Sequence, residues 1–163
     1  MKKVIASLLI ITSLFLLTGC ESDKEYTIDD LTITLPSSFT KQDMTGFLAY
    51  LENDEAGITV AEETFTDLEA IGLNSESTLE DYAAAVMASN DTEYELNNAD
   101  DYIYFYYDST VDGTDYHYMS ALLKGDDEFY LISFFCFAED SEKYDSIFKN
   151  WADTIVVNIG VLE

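Results

Sequence analysis

The sequence contains few side chains that could act as a nucleophile or a general base, apart from its many acids. Among 163 residues His117 is the single histidine, and Cys20 and Cys136 are the two cysteines. A serine–histidine or cysteine–histidine pair would have to use His117, which lies between Tyr116 and Tyr118 in a stretch typical of a strand. A zinc site needs several histidine or cysteine ligands. The pattern therefore favours a packed strand histidine over a catalytic or metal-bound one.

Cys136 lies in the apolar run Phe134-Phe135-Cys136-Phe137. Free cysteine packs as a small hydrophobic side chain. A reactive thiol would need nearby cations to lower its pKa, and the neighbouring sequence supplies none. We therefore expect a buried, inert thiol.

Three aspartates, Asp108, Asp112 and Asp115, flank Gly113 and are weak candidates for calcium ligands, because calcium needs only oxygen ligands. These residues do not have the spacing that a calcium-binding loop requires, since Thr110 occupies a position that a ligand would take. Asp112-Gly113 is also the signal of a two-residue type I′ hairpin turn. We expect the hairpin and no metal site, with a calcium-dependent binding module as an alternative.

Acids dominate the charge of the chain. The chain has 33 aspartates and glutamates but 7 lysines and no arginine, and its formal net charge is −26. Such a surface repels nucleic acid and lacks guanidinium clamps for phosphate. It favours basic partners, cations or simple solubility. Because acids are so abundant, no single carboxylate pair stands out, and a carboxylate-based cell-wall glycan hydrolase is a further alternative.

The tyrosines form the one unusual cluster. Tyr102, Tyr104 and Tyr106 alternate along one predicted strand, and Tyr116 and Tyr118 alternate along the next. One interpretation is cross-strand packing beneath a helix. The other is an exposed tyrosine-rich surface that binds a partner or a glycan, since tyrosine offers rigid amphipathic contact. These five residues are the candidate binding surface.

Periodicity and turn signals predict a strand-rich domain with two helices. The turn that joins strands 44–52 and 58–65 is expected to use Gly57 with positive φ. A capping box is expected to start the first helix, with Ser77 as N-cap and Glu80 three residues later. The predicted strands are 31–35, 39–41, 44–52, 58–65, 93–96, 102–110, 116–123 and 129–138, and the predicted helices are 78–89 and 141–155.

The order of these elements predicts an α+β fold. Hairpin connections dominate, so we expect a mainly antiparallel sheet of about six to seven strands, with helices on both faces in an αβα sandwich. Residues 129–138 are apolar almost throughout. Such a run is typical of a central strand that is covered on both faces.

The first twenty residues predict a targeting signal and a site of lipid attachment. Lys2-Lys3 precedes the apolar run Val4–Leu17, which is too short for a spanning helix. Leu17-Thr18-Gly19-Cys20 then resembles the lipobox of bacterial lipoproteins. The resemblance implies a signal peptide at 1–19, a diacylglycerol on Cys20 as the one attached group, and attachment to the outer face of the cell membrane. The polar residues after Cys20 predict a tether at 20–27 and a globular domain at 28–163.

The strand and Leu-Pro opening at Ile33–Phe39 resembles that of the PsbP-like families, which include the photosystem extrinsic protein PsbP and the Ran-binding Mog proteins. The closing run Phe129–Phe134, followed by the helical stripe from Tyr144 to Trp151, is similar to their last strand and helix. The resemblance implies an αβα sandwich and no catalytic residues. We therefore expect a monomeric, non-enzymatic binding protein of the cell envelope, with an envelope protein or a basic partner and no nucleic acid.

Overall fold

A computed structural model describes residues 22–158 of the chain. Its strands are β1 Asp23–Ile28, β2 Leu31–Pro36, β3 Thr40–Gln42, β4 Ala49–Glu52, β5 Ala56–Thr64, β6 Asn97–Asn98, β7 Ile103–Val111, β8 Thr114–Lys124, β9 Glu128–Phe137 and β10 Val156–Val157. The helices are α1 Phe65–Leu68, α2 Leu79–Ser89 and α3 Ser141–Ala152.

These strands form two antiparallel sheets. The large sheet has seven strands in the order β3-β4-β5-β9-β8-β7-β6, and the small sheet has the order β1-β2-β10. Hairpin neighbours along the chain pair directly, as β7 and β8 do from Ile103↔Leu122 to Val111↔Thr114. The predicted α+β class with a mainly antiparallel sheet is confirmed.

One face of the large sheet, the α3 face, is covered over its central strands. Along β9 it carries Tyr130, Ile132 and Phe134, which pack in one buried cluster with Tyr144 and Phe148 of α3. The small sheet completes this cover through the buried apolar side chains of β1 and β2. Successive side chains of a strand point to opposite faces of the sheet, so the apolar even-numbered residues of β9 all lie on the α3 face.

The opposite face, the α2 face, is covered at one end. There Phe129 stacks on Tyr82 of α2 with ring centroids 4.5 Å apart, and both belong to a second buried cluster. Farther along β9 the cover ends: Phe135 is half-buried and Phe137 is 40% exposed. The prediction that this central strand is covered on both faces therefore holds for its first half on the α2 face and fails for its second half.

Two local predictions were wrong. Gly57 does not supply the positive φ of the β4–β5 turn; it lies within β5, and the turn is closed by Asn53, whose side-chain oxygen accepts from the backbone N–H of Ala56 at 2.8 Å. The N-cap of α2 is Thr78, in a capping box with Asp81. Ser77 is unavailable for this role because its hydroxyl accepts from the N–H of Asn74.

The segment before β7 also differs from its prediction. Residues 93–96 form no strand, and the short β6 instead uses Asn97 and Asn98. Tyr94 explains the difference, because its ring stacks on Phe105 at 4.5 Å. This contact draws the segment over the sheet rather than into a strand pair.

Both ends of the folded domain depart from the expected boundaries. The tether predicted at 20–27 is wrong from residue 23 onward, because β1 begins at Asp23 and pairs along β2. Tyr26 is buried there, and its hydroxyl donates to the carbonyl of Phe39 at 2.8 Å. At the other end α3 stops at Ala152, so Ile155 lies beyond the helix that was expected to include it.

In residues 22–158 no helix is both long enough and apolar enough to cross a bilayer. The predicted signal peptide and Cys20 lie outside the described residues.

Candidate functional site: an aromatic platform on the open half of the sheet

The open half of the α2 face carries a continuous set of aromatic rings. In one register row Phe135 of β9 lies opposite Tyr118 of β8, which lies opposite Tyr107 of β7. The next row toward the β7–β8 turn pairs Phe137 with Tyr116. Residues on one face recur every second position, so these side chains all project from the same surface. With Tyr50 of β4, which stacks on Phe135, they form what we term the aromatic platform: Tyr50, Tyr107, Tyr116, Tyr118, Phe135 and Phe137.

The rings of the aromatic platform contact one another across four strands. Tyr107 and Tyr118 stack with centroids 4.8 Å apart and planes 8° apart. Tyr116 meets Phe135 edge to face at 5.9 Å and stacks on Phe137 at 5.6 Å. Pairs in these geometries contribute about 0.5–1.5 kcal/mol each beyond the area they bury. The aromatic platform is therefore rigid, although most of its rings are only half-buried.

Three platform hydroxyl groups, those of Tyr50, Tyr107 and Tyr118, have raised pKa values. Partial burial raises the pKa of Tyr118, and the neighbouring hydroxyls of Tyr107 and Tyr116 raise it further. Burial also raises the pKa of Tyr50, and so does its hydrogen bond to the Glu52 carboxylate, whose oxygen accepts at 2.6 Å. The platform thus offers neutral, amphipathic rings to any ligand.

An open, acid-lined hollow adjoins the platform at Glu52. Its volume is about 540 Å³. The carboxylates around it are Glu52, Asp54 and Glu55, of which Glu55 binds Lys143 at 3.0 Å. We term it the acidic hollow; its lining is Ser38, Thr40, Gln42, Glu52, Asn53, Asp54 and Glu55.

The five tyrosines of the predicted binding surface do not share one surface. Tyr116 and Tyr118 lie on the aromatic platform, whereas Tyr102, Tyr104 and Tyr106 project from the α3 face. Tyr102 is 5% exposed and donates to the Asp153 carboxylate at 2.6 Å. For these three residues the structure shows packing beside α3.

Lys149 of α3 reinforces that packing. Its ammonium group lies 5.6 Å from the ring centroids of both Tyr102 and Tyr104, and it binds Asp153 at 3.1 Å. The Tyr102 hydroxyl and Lys149 both lower the pKa of Asp153.

His117 links the β7–β8 hairpin to α3 through its two ring nitrogens. Its Nδ1 lies 2.7 Å from an Asp108 oxygen and its Nε2 lies 2.9 Å from an Asp145 oxygen. The ring of Tyr106 stacks on it at 5.6 Å. Because both ring nitrogens have carboxylate partners, neither is free to take a proton from a substrate. The packed histidine predicted from the sequence agrees with this geometry.

Two of the three aspartates considered as calcium ligands are hydrogen-bonded to different partners. Asp108 pairs with His117, and Asp115 accepts from the Thr110 hydroxyl at 2.6 Å. Asp112 occupies the hairpin turn with φ 50°, followed by Gly113 at φ 82°, as the type I′ prediction required. Within residues 22–158 no cluster of three or more histidine, cysteine or acidic side chains is placed to hold a metal ion.

Cys136 is buried on the α3 face at 1% exposure. Burial raises the pKa of its thiol to about 12, and the carboxylates of Asp140 and Asp145 act in the same direction. The thiol is therefore protonated and shielded, as predicted.

Glu62 of β5 and Glu128 of β9 are a neighbouring pair of carboxylates. Burial raises the pKa of Glu62, and the nearby charge of Glu128 raises it further. Neither residue lines the acidic hollow, and Tyr130 hydrogen-bonds Glu128. The acidic hollow therefore provides no substrate cleft at this pair.

Four of the six platform residues were absent from the sequence prediction: Tyr50, Tyr107, Phe135 and Phe137. A signal for Tyr107 was present in the sequence. Once Asp112-Gly113 fixes the hairpin, pairing places Tyr107 opposite Tyr118 and therefore on the opposite face from Tyr106. Tyr50 could not be found this way, because its neighbour Phe135 belongs to a strand two positions away in the sheet.

Sequence comparison finds no relatives for this chain. No protein-family model matches it, and no curated protein matches it.

Solved structures share its fold, which is PsbP-like. Cyanobacterial PsbP (CyanoP) from Synechocystis sp. PCC 6803 is 14% identical, with a TM-score of 0.55 over 86% of this chain and 95% of that chain. The Ran-binding protein Mog1p of Saccharomyces cerevisiae is 10% identical, with a TM-score of 0.56 over 85% of this chain and 97% of that chain. A protein from Bacteroides thetaiotaomicron is 14% identical, with a TM-score of 0.53 over 78% of this chain and 45% of that chain. The fold predicted from the strand and helix motifs is confirmed, and at these identities the likeness concerns the fold alone.

Proposed function

We propose that this protein is a non-enzymatic binding protein, held at the outer face of the cell membrane by a lipid on Cys20, that engages its partner through the aromatic platform. The observation that carries the proposal is the open half of the α2 face, where six aromatic rings meet and no helix of residues 22–158 covers them. Large exposed apolar surfaces on soluble domains mark interaction sites. Tyrosine is enriched in such sites because it combines area with a polar tip.

The anchor part of the proposal rests on the N-terminal sequence. Lys2-Lys3, the apolar run Val4–Leu17 and Cys20 occur in the order that a lipoprotein signal requires. Two or more acyl chains give stable attachment to a bilayer where one does not. The acidic surface adds no attraction to anionic lipid, so the acyl chains would supply the attachment alone.

Site-specific photo-crosslinking in the cells that make the protein tests the binding role. A photoreactive residue at Phe137, on the platform, is compared with one at Val156, which is 53% exposed on β10 and remote from the platform. We expect a discrete adduct from position 137, reduced by Tyr118→Ser, and none of that mass from position 156. Equal adducts from both positions would refute the platform as the binding surface.

Membrane fractionation tests the anchor separately. The wild-type chain should sediment with membranes and incorporate labelled fatty acid. Cys20→Ser should lose the label. An unlabelled wild-type chain would refute lipidation while leaving the binding role untouched.

A further inference from the structure

Charge is distributed unevenly around the aromatic platform. The described residues contain five lysines, and none of them projects from the open half of the α2 face. Lys124 is on that face but at its covered end, where it donates to the carbonyls of Ser75 and Ser77 at 2.7 and 2.8 Å. The other four lie in β1, in β3 on the α3 face, or in α3: Lys24, Lys41, Lys143 and Lys149.

Carboxylates, by contrast, border the platform and enter the acidic hollow beside it. Glu52 connects the two features, because it accepts from the Tyr50 hydroxyl of the platform and lines the hollow. Asp54 also lines the hollow and has no lysine partner among the described ion pairs. A single surface thus joins neutral aromatic rings to uncompensated negative charge.

This combination selects one class of partner, and the inference rests on the proposed function of the platform. We infer that the aromatic platform and the acidic hollow together bind a cationic segment of a partner protein. Apolar or aromatic side chains of the segment lie on the rings, and a lysine or arginine enters the hollow beside Glu52 and Asp54. Tyrosine faces also attract such cations through their ring quadrupoles. Complementary charge of this kind gives specificity and a fast association rate.

A neutral glycan could also stack on the rings, but it would make no use of the acidic hollow, and an anionic membrane surface would be repelled by it. The cationic segment is the one occupant that uses both features. The competing occupants are therefore distinguished by charge.

The test uses the full chain in zwitterionic lipid nanodiscs, with empty nanodiscs as the reference. Three fluorescent probes are titrated: a peptide that alternates lysine with tyrosine, its counterpart that alternates glutamate with tyrosine, and a neutral chito-oligosaccharide. We expect the lysine peptide to bind and the other two not to bind. Binding should weaken as salt is raised, because exposed charges are screened.

Four variants locate the interaction. Phe137→Ser removes an exposed platform ring, with Val156→Ser as its matched control; the double change Glu52→Gln with Asp54→Asn neutralises the hollow, with Asp100→Asn and Glu69→Gln together as its control. Each first-named variant should weaken lysine-peptide binding about tenfold or more, as loss of a central contact does at interfaces, and each control should leave it unchanged. Circular dichroism confirms that all four are folded.

The remaining outcomes overturn the inference in distinguishable ways. Equal binding of the glutamate peptide, or equal loss in the acidic control, removes the role of the hollow. Binding of the chito-oligosaccharide alone, weakened by Phe137→Ser, leaves the platform as a binding surface with a glycan partner. Absence of binding by all three probes, or binding that Phe137→Ser does not affect, refutes both the inference and the proposed platform function.

Discussion

The ring of Phe135 lies directly over the backbone of Gly57 in the neighbouring strand. The two residues are register partners in β9 and β5, and a Cβ placed on Gly57 would overlap the ring atoms of Phe135. Glycine is therefore required here for space rather than for a turn. This arrangement lets Phe135 lean across β5 to reach Tyr50, which joins β4 to the aromatic platform.

Replacing Gly57 by alanine should therefore destabilise the fold. Overpacking a well-filled site costs about 1–3 kcal/mol, and we expect a loss of unfolding free energy in this range on denaturant titration. Phe135→Leu in the same chain should recover part of the loss, because a smaller side chain can accept the new methyl group. An unchanged unfolding free energy in Gly57→Ala would show that the contact is not close.

The protein should lose stability at alkaline pH. Burial and the nearby Asp145 carboxylate raise the pKa of Tyr106 to about 12, while burial raises the pKa values of Tyr107 and Tyr118 above their ordinary value of 10.0. A group whose pKa is higher in the folded state adds stability below its unfolded pKa. That contribution is then lost as the pH rises through the folded pKa.

Unfolding free energy should therefore fall from pH 10 toward pH 12. Tyr106→Phe should make the fall shallower. Tyrosinate absorbance measured alongside should show a late-titrating group, and titration of every tyrosine at its ordinary pKa would contradict this prediction.

Acid should weaken one exposed contact between α3 and the β4–β5 turn. Glu55 accepts from Lys143 at 3.0 Å and from the Tyr144 hydroxyl at 2.9 Å, and both bonds lower its pKa. A lowered pKa adds stability above the unfolded value of 4.5, which is lost as the pH falls through the folded value.

Glu55→Gln should consequently flatten the acid limb of the stability curve below pH 4.5. At neutral pH the change should be less than about 1 kcal/mol, because the pair is exposed to solvent. Asp43→Asn, in the exposed β3–β4 loop, is the control. A Glu55→Gln curve that runs parallel to that of the wild type would contradict the assignment.

The Tyr102 hydroxyl should stabilise the contact between β7 and α3. It donates to Asp153 at 2.6 Å, and its loss in Tyr102→Phe should lower the unfolding free energy by about 1.5–3 kcal/mol, as for hydrogen bonds to charged groups. Tyr104→Phe is a close control, because that ring also lies under Lys149. Because phenylalanine keeps the ring in both variants, equal losses would show that the bond to Asp153 is not the cause.

Much of the fold could be predicted from local patterns. The long alternating strands, the Asp112-Gly113 turn and the apolar stripe of α3 are each determined by neighbouring residues, so the antiparallel sheet and its helical cover followed. The predictions failed where contacts between distant segments decide the structure. Tyr94 stacks on Phe105 instead of entering a strand, and Tyr26 of β1 is buried with its hydroxyl bonded to the carbonyl of Phe39.

The candidate site was less predictable for the same reason. The sequence showed that tyrosines crowd one hairpin, but the face that α3 covers is set by packing across the whole sheet. That choice buries Tyr102 and leaves Tyr118 open. Phe135 was predicted as core because its run is apolar, whereas the limited reach of α2 leaves it half-covered.

The position of β1 sets how far the domain could stand from a membrane. Strand pairing begins at Asp23, three residues after Cys20. An extended chain spans at most 3.3–3.6 Å per residue, so a lipid on Cys20 would keep the first strand within about 10 Å of the bilayer surface. So short a tether would restrict the diffusion of the protein to the plane of the membrane. The partner would have to come close to the bilayer, within the span of the folded domain itself.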